Sequence, residues 1–196
     1  YSSDFRDHAI GQLTVELLEL HNKKKFEIIC FYNDTAEDHI TEKIKKSVNK
    51  FFNITNFINS KVITLSKNLK IDIAIDLNGY TKNSRVDIFS ERFCPLQVSF
   101  LGYPGTSGIQ NIDYLIADKN LIPKKNKQYY TEKIIYLPNS YQPSDSTRVV
   151  IDKKLTRNDF NLRDDQFIFC CFNTTHKINP KIFNSWANIL RAVNNS

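Results

Sequence analysis

The sequence contains no methionine, a single tryptophan and only five glycines. No apolar run approaches the ~18–20 residues that a membrane-spanning helix needs, so neither a membrane span nor a membrane partner is expected. No heptad is sustained, and a 41% hydrophobic content is too high for a disordered or collagen-like chain. The four cysteines, Cys30, Cys94, Cys170 and Cys171, form no Cys-x-x-Cys pair, which removes the common zinc and dithiol signatures. Three of them lie in apolar, strand-like runs, and the pattern reads as core thiols of a reducing cytosol rather than as disulfides or a zinc site. No HExxH, GxSxG, P-loop or GxGxxG occurs, so the commonest metalloprotease, hydrolase and nucleotide-binding signatures are missing. Nothing near Tyr1 resembles a signal peptide. With no initiator, and with a helical pattern directly before Ser196, the chain reads as a fragment of something longer.

What is present is a globular composition. A length of 196 residues supplies one core, or one domain and part of a second. Basic residues number 27 against 21 acidic, a formal charge of +6. The lysine clusters Lys23–Lys25, Lys43–Lys50 and Lys124–Lys127 carry no interleaved aromatics on which bases would stack, so they read as solvated faces. Nucleic acid is not an expected partner.

The hydrophobic period switches repeatedly between helical and extended. Ile10, Leu13, Leu17 and Leu20 mark a helix, and Phe26 to Tyr32 a short apolar run. Ile40, Ile44, Val48 and Phe51 mark a second helical stripe. Strands are expected at 61–65, 71–77, 97–101, 112–117 and 133–137, with a helix over 86–93. Residues 139–153 are polar and proline-bearing, the best linker in the chain. A short helix, a strand over 166–172 and a helix from Pro180 to about Val193 follow. Strands alternating with helices predict an α/β fold with a mostly parallel sheet. The expected organisation is a Rossmann-like domain over 1–143, a linker over 144–165, and the first βα unit of a second domain over 166–196.

Ligands of open α/β sheets bind beyond the carboxyl ends of the strands. Three such ends carry unusual loops: Asn78-Gly79-Tyr80-Thr81, the glycine-rich segment Gly102–Gly108, and Asn173-Thr174-Thr175-His176-Lys177. Three of the five glycines fall in Gly102–Gly108, where bare backbone approaches a ligand or simply turns tightly. Asn179 is a good N-cap and Pro180 suits the first helical position. Lys177, just before that helix end, adds a full charge to its free N–H groups, a combination suited to phosphate or diphosphate. His8 either acts as a base or sugar contact, or helps start the first helix. Asp72 and Asp76 alternate onto one strand face, at a site or on an exposed edge.

Several segments together resemble a known family. They are Tyr1-Ser2-Ser3-Asp4-Phe5 through His8, Leu77-Asn78-Gly79-Tyr80-Thr81-Lys82, Leu101–Gly108 (LGYPGTSG), and Asp113-Tyr114. Tyr136-Leu137-Pro138, Cys171–Ile178 (CFNTTHKI) and Trp186–Leu190 complete the set. In this order they resemble the catalytic region of protein O-GlcNAc transferases, glycosyltransferase family 41, which also holds the SPINDLY-type enzymes. The resemblance implies a GT-B architecture of two Rossmann-like domains with the active site in the cleft between them. It implies inverting, metal-independent transfer of N-acetylglucosamine from UDP-GlcNAc to Ser or Thr of acceptor proteins. No cofactor is implied; the nucleotide sugar is a substrate.

Family members usually carry tetratricopeptide repeats upstream. Matched residue by residue, His8 stands at the active-site histidine, and Leu101 and Gly102 at backbone positions lining the donor sugar. Tyr103 and Pro104 share that loop. Lys177 stands at the lysine holding the diphosphate. Thr174 replaces a donor-contacting glutamine of the animal enzymes, His176 a tyrosine, and Asp72 a histidine. The linker near Ser144–Lys153 replaces a long insert. These departures point to a bacterial-type member and leave GDP-fucose or UDP-glucose as alternative donors, or a non-catalytic binding module as an alternative function. The expected location is cytoplasmic, and the fragment by itself is expected to be inactive, because most of the domain that would hold base and ribose is absent.

Overall fold

The computed structural model describes residues 1–149 and 153–196. Two compact units divide the chain, Tyr1–Arg148 and Val149–Ser196. Of the linker expected over 144–165, residues 150–152 lie outside the described residues.

The first unit alternates strands and helices: α1 (Ala9–Glu19), β1 (Ile29–Tyr32), α2 (His39–Ser47), β2 (Lys50–Asn53), α3 (Asn59–Asn68) and β3 (Ile73–Asp76). Then come a 3-10 turn at Val86–Ser90, β4 (Leu96–Phe100), β5 (Tyr114–Ala117), a 3-10 turn at Lys124–Tyr129 and β6 (Lys133–Tyr136). All ladders are parallel, β1 with β2 and β3 through β6 in sequence order. The segment at Tyr1–Ser2 runs between the two sheets. Ser2 bridges Tyr32 in parallel, Leu77 N donates to the Tyr1 carbonyl at 3.0 Å, and the Tyr1 amine donates to Ile75 O at 2.8 Å. The strands therefore stand in one array, β2, β1, residues 1–2, β3, β4, β5, β6.

Successive side chains of a strand face opposite ways, and around β1 both faces of this array are buried, whereas Ile73 and Ile75 of β3 are exposed. Cys30 and Tyr32 join Ile10, Val15, Ile40 and Ile44 of α1 and α2 on one side. Phe31 joins Val62 and Ile63 of α3, with Ile88, Phe89 and Phe93, on the other. Burial pushes the Cys30 thiol up to about 12, so it is an inert core group. The α2 helix opens with a capping box in which Asp38 accepts from Ile40 N and Thr41 N while Thr41 Oγ1 accepts from Asp38 N.

Several elements differ from the sequence expectation. The strand expected at 61–65 is the helix α3, because Val62, Ile63 and Ser66 sit on one helical face against the core and β-branched content misleads over five residues. Phe51 belongs to β2 rather than to the α2 stripe. Val48 turns extended (φ −119, ψ 162), and Phe51 and Phe52 pair with Cys30 and Phe31. The helix expected over 86–93 is a 3-10 turn ending at Ser90.

In the second unit, a 3-10 turn at Arg157–Phe160 stands where a short helix is expected, and α4 spans Pro180–Ala192. Residues 166–172 make no ladder, although Phe167 N donates to Asn195 O at 2.8 Å. A strand exists only through a paired neighbour, and this unit holds no other extended segment to pair with among its described residues. Consequently Cys170 and Cys171 are exposed, unlike the buried Cys30 and Cys94, and are not core thiols.

Candidate functional site

In the first unit the loops that leave β3 and β4 and the segment Ser2–His8 pack against one another. Asn78, 1% exposed, is the knot. Its Oδ1 accepts from Ser3 N at 2.7 Å, and its Nδ2 donates to Ser3 Oγ, Asp4 Oδ2 and Thr81 Oγ1 at 2.8, 2.9 and 3.0 Å. A buried amide with every polar atom engaged holds the β3 loop and the segment Ser2–His8 in one arrangement. Asp76, directly below, accepts from Asn78 N and Gly79 N at 2.9 and 3.0 Å. Its burial pushes the carboxyl up, against the pull of those amides and the nearby Tyr1 amine. The two acids singled out together thus part: Asp76 caps the β3 turn from inside, while Asp72 lies exposed before β3.

Glycine permits the close approach of the two strand-end loops. A Cβ on Gly102 would overlap the Leu77 carbonyl, and one on Gly79 (φ +58) would meet the Tyr103 side chain. Tyr80 and Tyr103 meet edge to face at 5.6 Å. Leu101 has φ +72 and is nearly buried, in a γ-turn closed by Gly102 N donating to Phe100 O at 2.9 Å. A bulky residue in that region is strained and persists only where its surroundings over-determine it.

His8 caps α1: its Nδ1 accepts from Ile10 N at 3.3 Å, and Asp4 Oδ1 lies 3.7 Å from the same nitrogen. Its role as a helix starter is therefore real. A neutral ring that accepts at Nδ1 carries its proton on Nε2, so it offers a donor at its free end. Through Asp4 and Asn78, His8 belongs to the same cluster as Leu101, Gly102, Tyr103 and Pro104.

The far end of the glycine loop is held by Glu132, a residue that no sequence motif marks. Its carboxylate accepts from Thr106 Oγ1 and Ser107 N, both at 2.7 Å, and from Ser107 Oγ. These bonds outweigh burial and hold the carboxyl below its usual range. An acid just ahead of β6 is the only signal in the sequence, and it is unremarkable there.

In the second unit, Thr174 precedes a 3-10 turn at Thr175–Lys177 that carries His176 and Lys177, all exposed, and makes no side-chain bond to that turn. Asn179 then caps α4, its Oδ1 accepting from Ile182 N at 3.0 Å, with Pro180 in the first turn. The cap expected from sequence is in place, with Lys177 beside it.

A cavity of about 600 Å³ lies elsewhere, between the two ladders of the first unit, lined by apolar groups such as Ile29, Phe31, Ile73 and Leu17. Of the candidate site residues singled out from the sequence, Asp72 lines it, whereas His8, Leu101–Pro104, Thr174, His176 and Lys177 do not. Among the described residues no three His, Cys, Asp or Glu side chains converge as metal ligands, and no helix is long and apolar enough to cross a membrane.

Comparison with known proteins covers the whole chain. The model of glycosyl transferase family 41 matches residues 1–155 and 147–196. The Arabidopsis thaliana protein "Probable UDP-N-acetylglucosamine--peptide N-acetylglucosaminyltransferase SEC" is 36% identical over 203 residues, all of this chain and 21% of that protein. The Solanum lycopersicum protein of the same activity name with the designation SPINDLY is 30% identical over 202 residues, again 100% of this chain and 21% of that one. This chain thus spans about a fifth of the length of these curated relatives. A solved structure of a mutant O-GlcNAc transferase from Thermobaculum terrenum superposes with a TM-score of 0.83 at 27% identity, over 97% of this chain and 35% of that one.

Proposed function

The chain belongs to glycosyltransferase family 41, and from that premise we propose that it is the part of a protein O-GlcNAc transferase that spans the first catalytic domain and the start of the second. The observation that carries this reading is the match of the family over every residue of the chain, in one order. The structural likeness to an O-GlcNAc transferase supports the α/β architecture expected of it. The reaction is inverting transfer of N-acetylglucosamine from UDP-GlcNAc to a Ser or Thr of an acceptor protein, without a metal or other cofactor. The partners are the nucleotide sugar and the acceptor protein, and the location is the cytoplasm.

The roles divide by unit. In the first unit the backbone of Leu101 and Gly102 faces the donor sugar, with Tyr103 and Pro104 shaping the same wall. His8, fixed by its cap bond, contacts the reacting sugar or acceptor through Nε2. In the second unit Lys177, with Thr174 and His176 beside it, meets the diphosphate. The acceptor oxygen forms the new bond to the anomeric carbon as the bond to the diphosphate breaks. The hydroxyl proton leaves to a base or to solvent, and the electron pair leaves on the nucleotide. A lysine charge placed where that negative charge develops lowers the barrier without a metal.

The test uses the full-length parent protein with a panel of UDP- and GDP-sugars and a mixed protein acceptor, read by intact mass. A gain of one N-acetylhexosamine, lost in Lys177→Ala, supports the reading. A different sugar moves the assignment to a GDP-fucose or UDP-glucose transferase. No transfer from any donor, with partner binding intact, leaves a binding module. His8→Asn sharpens the test, because an asparagine oxygen replaces Nδ1 as the helix cap while Nε2 disappears. Loss of transfer with unchanged thermal stability assigns His8 to the reaction, and retained transfer reduces it to a cap.

A further inference from the structure

Of the groups that the proposed reaction does not use, Glu132 is the most unusual. It is 4% exposed, and among the described residues no Lys, Arg or His pairs with its carboxylate. A buried carboxylate without a counter-ion is stable only when donors surround it. Its side-chain donors all come from one place, the hydroxyls of Thr106 and Ser107 and the amide of Ser107. The same loop receives two further anchors: Tyr80 OH donates to Ser107 O at 2.8 Å, and Tyr130 OH donates to Pro104 O at 3.2 Å. Thr131 N adds a bond to Thr106 Oγ1 at 3.2 Å.

The loop needs such anchors. Gly102, Gly105 and Gly108 leave it with much backbone freedom to lose. At its other end Leu101 holds a left-handed conformation, φ +72, that it would abandon if the loop were free to relax. Strand β4 fixes the entry to the loop, and the charge-assisted bonds to Glu132 fix its exit.

We infer that Glu132 is a positioning residue for donor binding: by clamping Thr106 and Ser107 it holds Leu101–Pro104 in the shape that receives the nucleotide sugar. The inference rests on the transferase reading. Glu132 touches no substrate itself; it acts through the loop, where a displacement near 1 Å is enough to cost about a hundredfold.

The experiment compares Glu132→Ala, Glu132→Gln, Thr106→Val and Ser107→Ala in the full-length parent protein. Donor KM, acceptor KM, kcat and amide exchange of residues 102–108 are measured for each. Glu132→Ala is expected to raise donor KM roughly tenfold or more with acceptor KM unchanged, and to speed exchange in 102–108 but not in β6. Glu132→Gln keeps an oxygen for Ser107 and an amide facing Thr106, and is expected to restore most of the donor affinity. Should Glu132→Ala fail to fold, Thr106→Val and Ser107→Ala each remove part of the clamp and are expected to raise donor KM by a smaller factor. Normal donor KM in every folded variant, or equal losses for donor and acceptor alongside reduced stability, overturns the inference. A parent protein that transfers no sugar from any donor instead overturns the transferase reading, and the exchange measurement still reports whether Glu132 orders the loop.

Discussion

In Tyr1–Arg148 the candidate residues are fixed by buried side chains distant in sequence, whereas in Val149–Ser196 Lys177 stands on a turn held by its own backbone. Asn78 reaches Ser3 across 75 residues and Glu132 reaches Ser107 across 25. The turn at Thr175–Lys177 is closed by Lys177 N on Thr174 O and Ile178 N on Thr175 O, at 3.1 and 3.0 Å. No side chain of the second unit is buried among its described residues, and Phe172 is 96% exposed. Phe160, Phe167, Phe169 and Phe183 of that unit are exposed as well. Precision in the first unit is thus a tertiary property, and in the second a local one: a helix cap, a proline and a charge.

This contrast breaks or sharpens under substitution. The largest effect is expected for Lys177→Ala, which removes a charge from an exposed turn. Transfer by the parent protein is expected to fall by roughly 10²–10³-fold, about 3–4 kcal/mol, with no change in the unfolding midpoint. A matching loss of stability would show that Lys177 is structural.

Next is a pair of identical operations in the two units. Ile44→Ala, at a fully buried position, is expected to cost ~2–5 kcal/mol by denaturant titration followed by circular dichroism. In the same 196-residue chain, Phe172→Ala is expected to shift unfolding by less than about 0.5 kcal/mol. Trp186, the only tryptophan, reports the second unit by fluorescence in the same titration. Comparable costs for the two would mean that the units do not differ as described.

Asn78→Ala should follow, at about 2–3 kcal/mol, because it orphans Ser3 N inside the first unit. Measured by the same titration, a cost below ~0.5 kcal/mol would remove Asn78 as the knot of the site.

The smallest effect is a pH dependence. The Glu132 carboxyl is held below its usual value in the folded chain. Its contribution is therefore complete above the ordinary carboxylate range and is lost as pH falls through the lowered value. The stability gap between wild type and Glu132→Gln should accordingly narrow on acidification. A gap that is flat with pH would mean that the bonds to Thr106 and Ser107 do not depend on the charge.

The legible parts of the sequence were those with short-range signals. Ile71–Leu77 and Gln97–Leu101 announced β3 and β4 to within two residues, and Asn179-Pro180 announced α4, because period and capping act over a few residues. The segment 61–65 misled because its four apolar or β-branched residues, Val62–Leu65, fit a strand as well as the helix α3. Residues 166–172 misled because a strand is a relation between two segments, and the pattern of one cannot supply the other. Among the candidate residues, His8, Leu101, Gly102 and Lys177 carried a loop, glycine or cap signature. Glu132 carried none, because its role lies in what it accepts from Thr106 and Ser107.

By itself the sequence determined the alternation of helix and strand, the loops at the strand ends, the capped helix beside Lys177 and the family to which the chain belongs. All of these are written in contiguous residues. Only the tertiary structure decided that Asp76 turns inward while Asp72 faces solvent, that Leu101 is held in a left-handed turn, and that Glu132 clamps the loop beyond it. Each of those outcomes depends on burial and on partners brought together by the parallel sheet, and side-chain order along the chain does not encode which distant donor meets which acceptor.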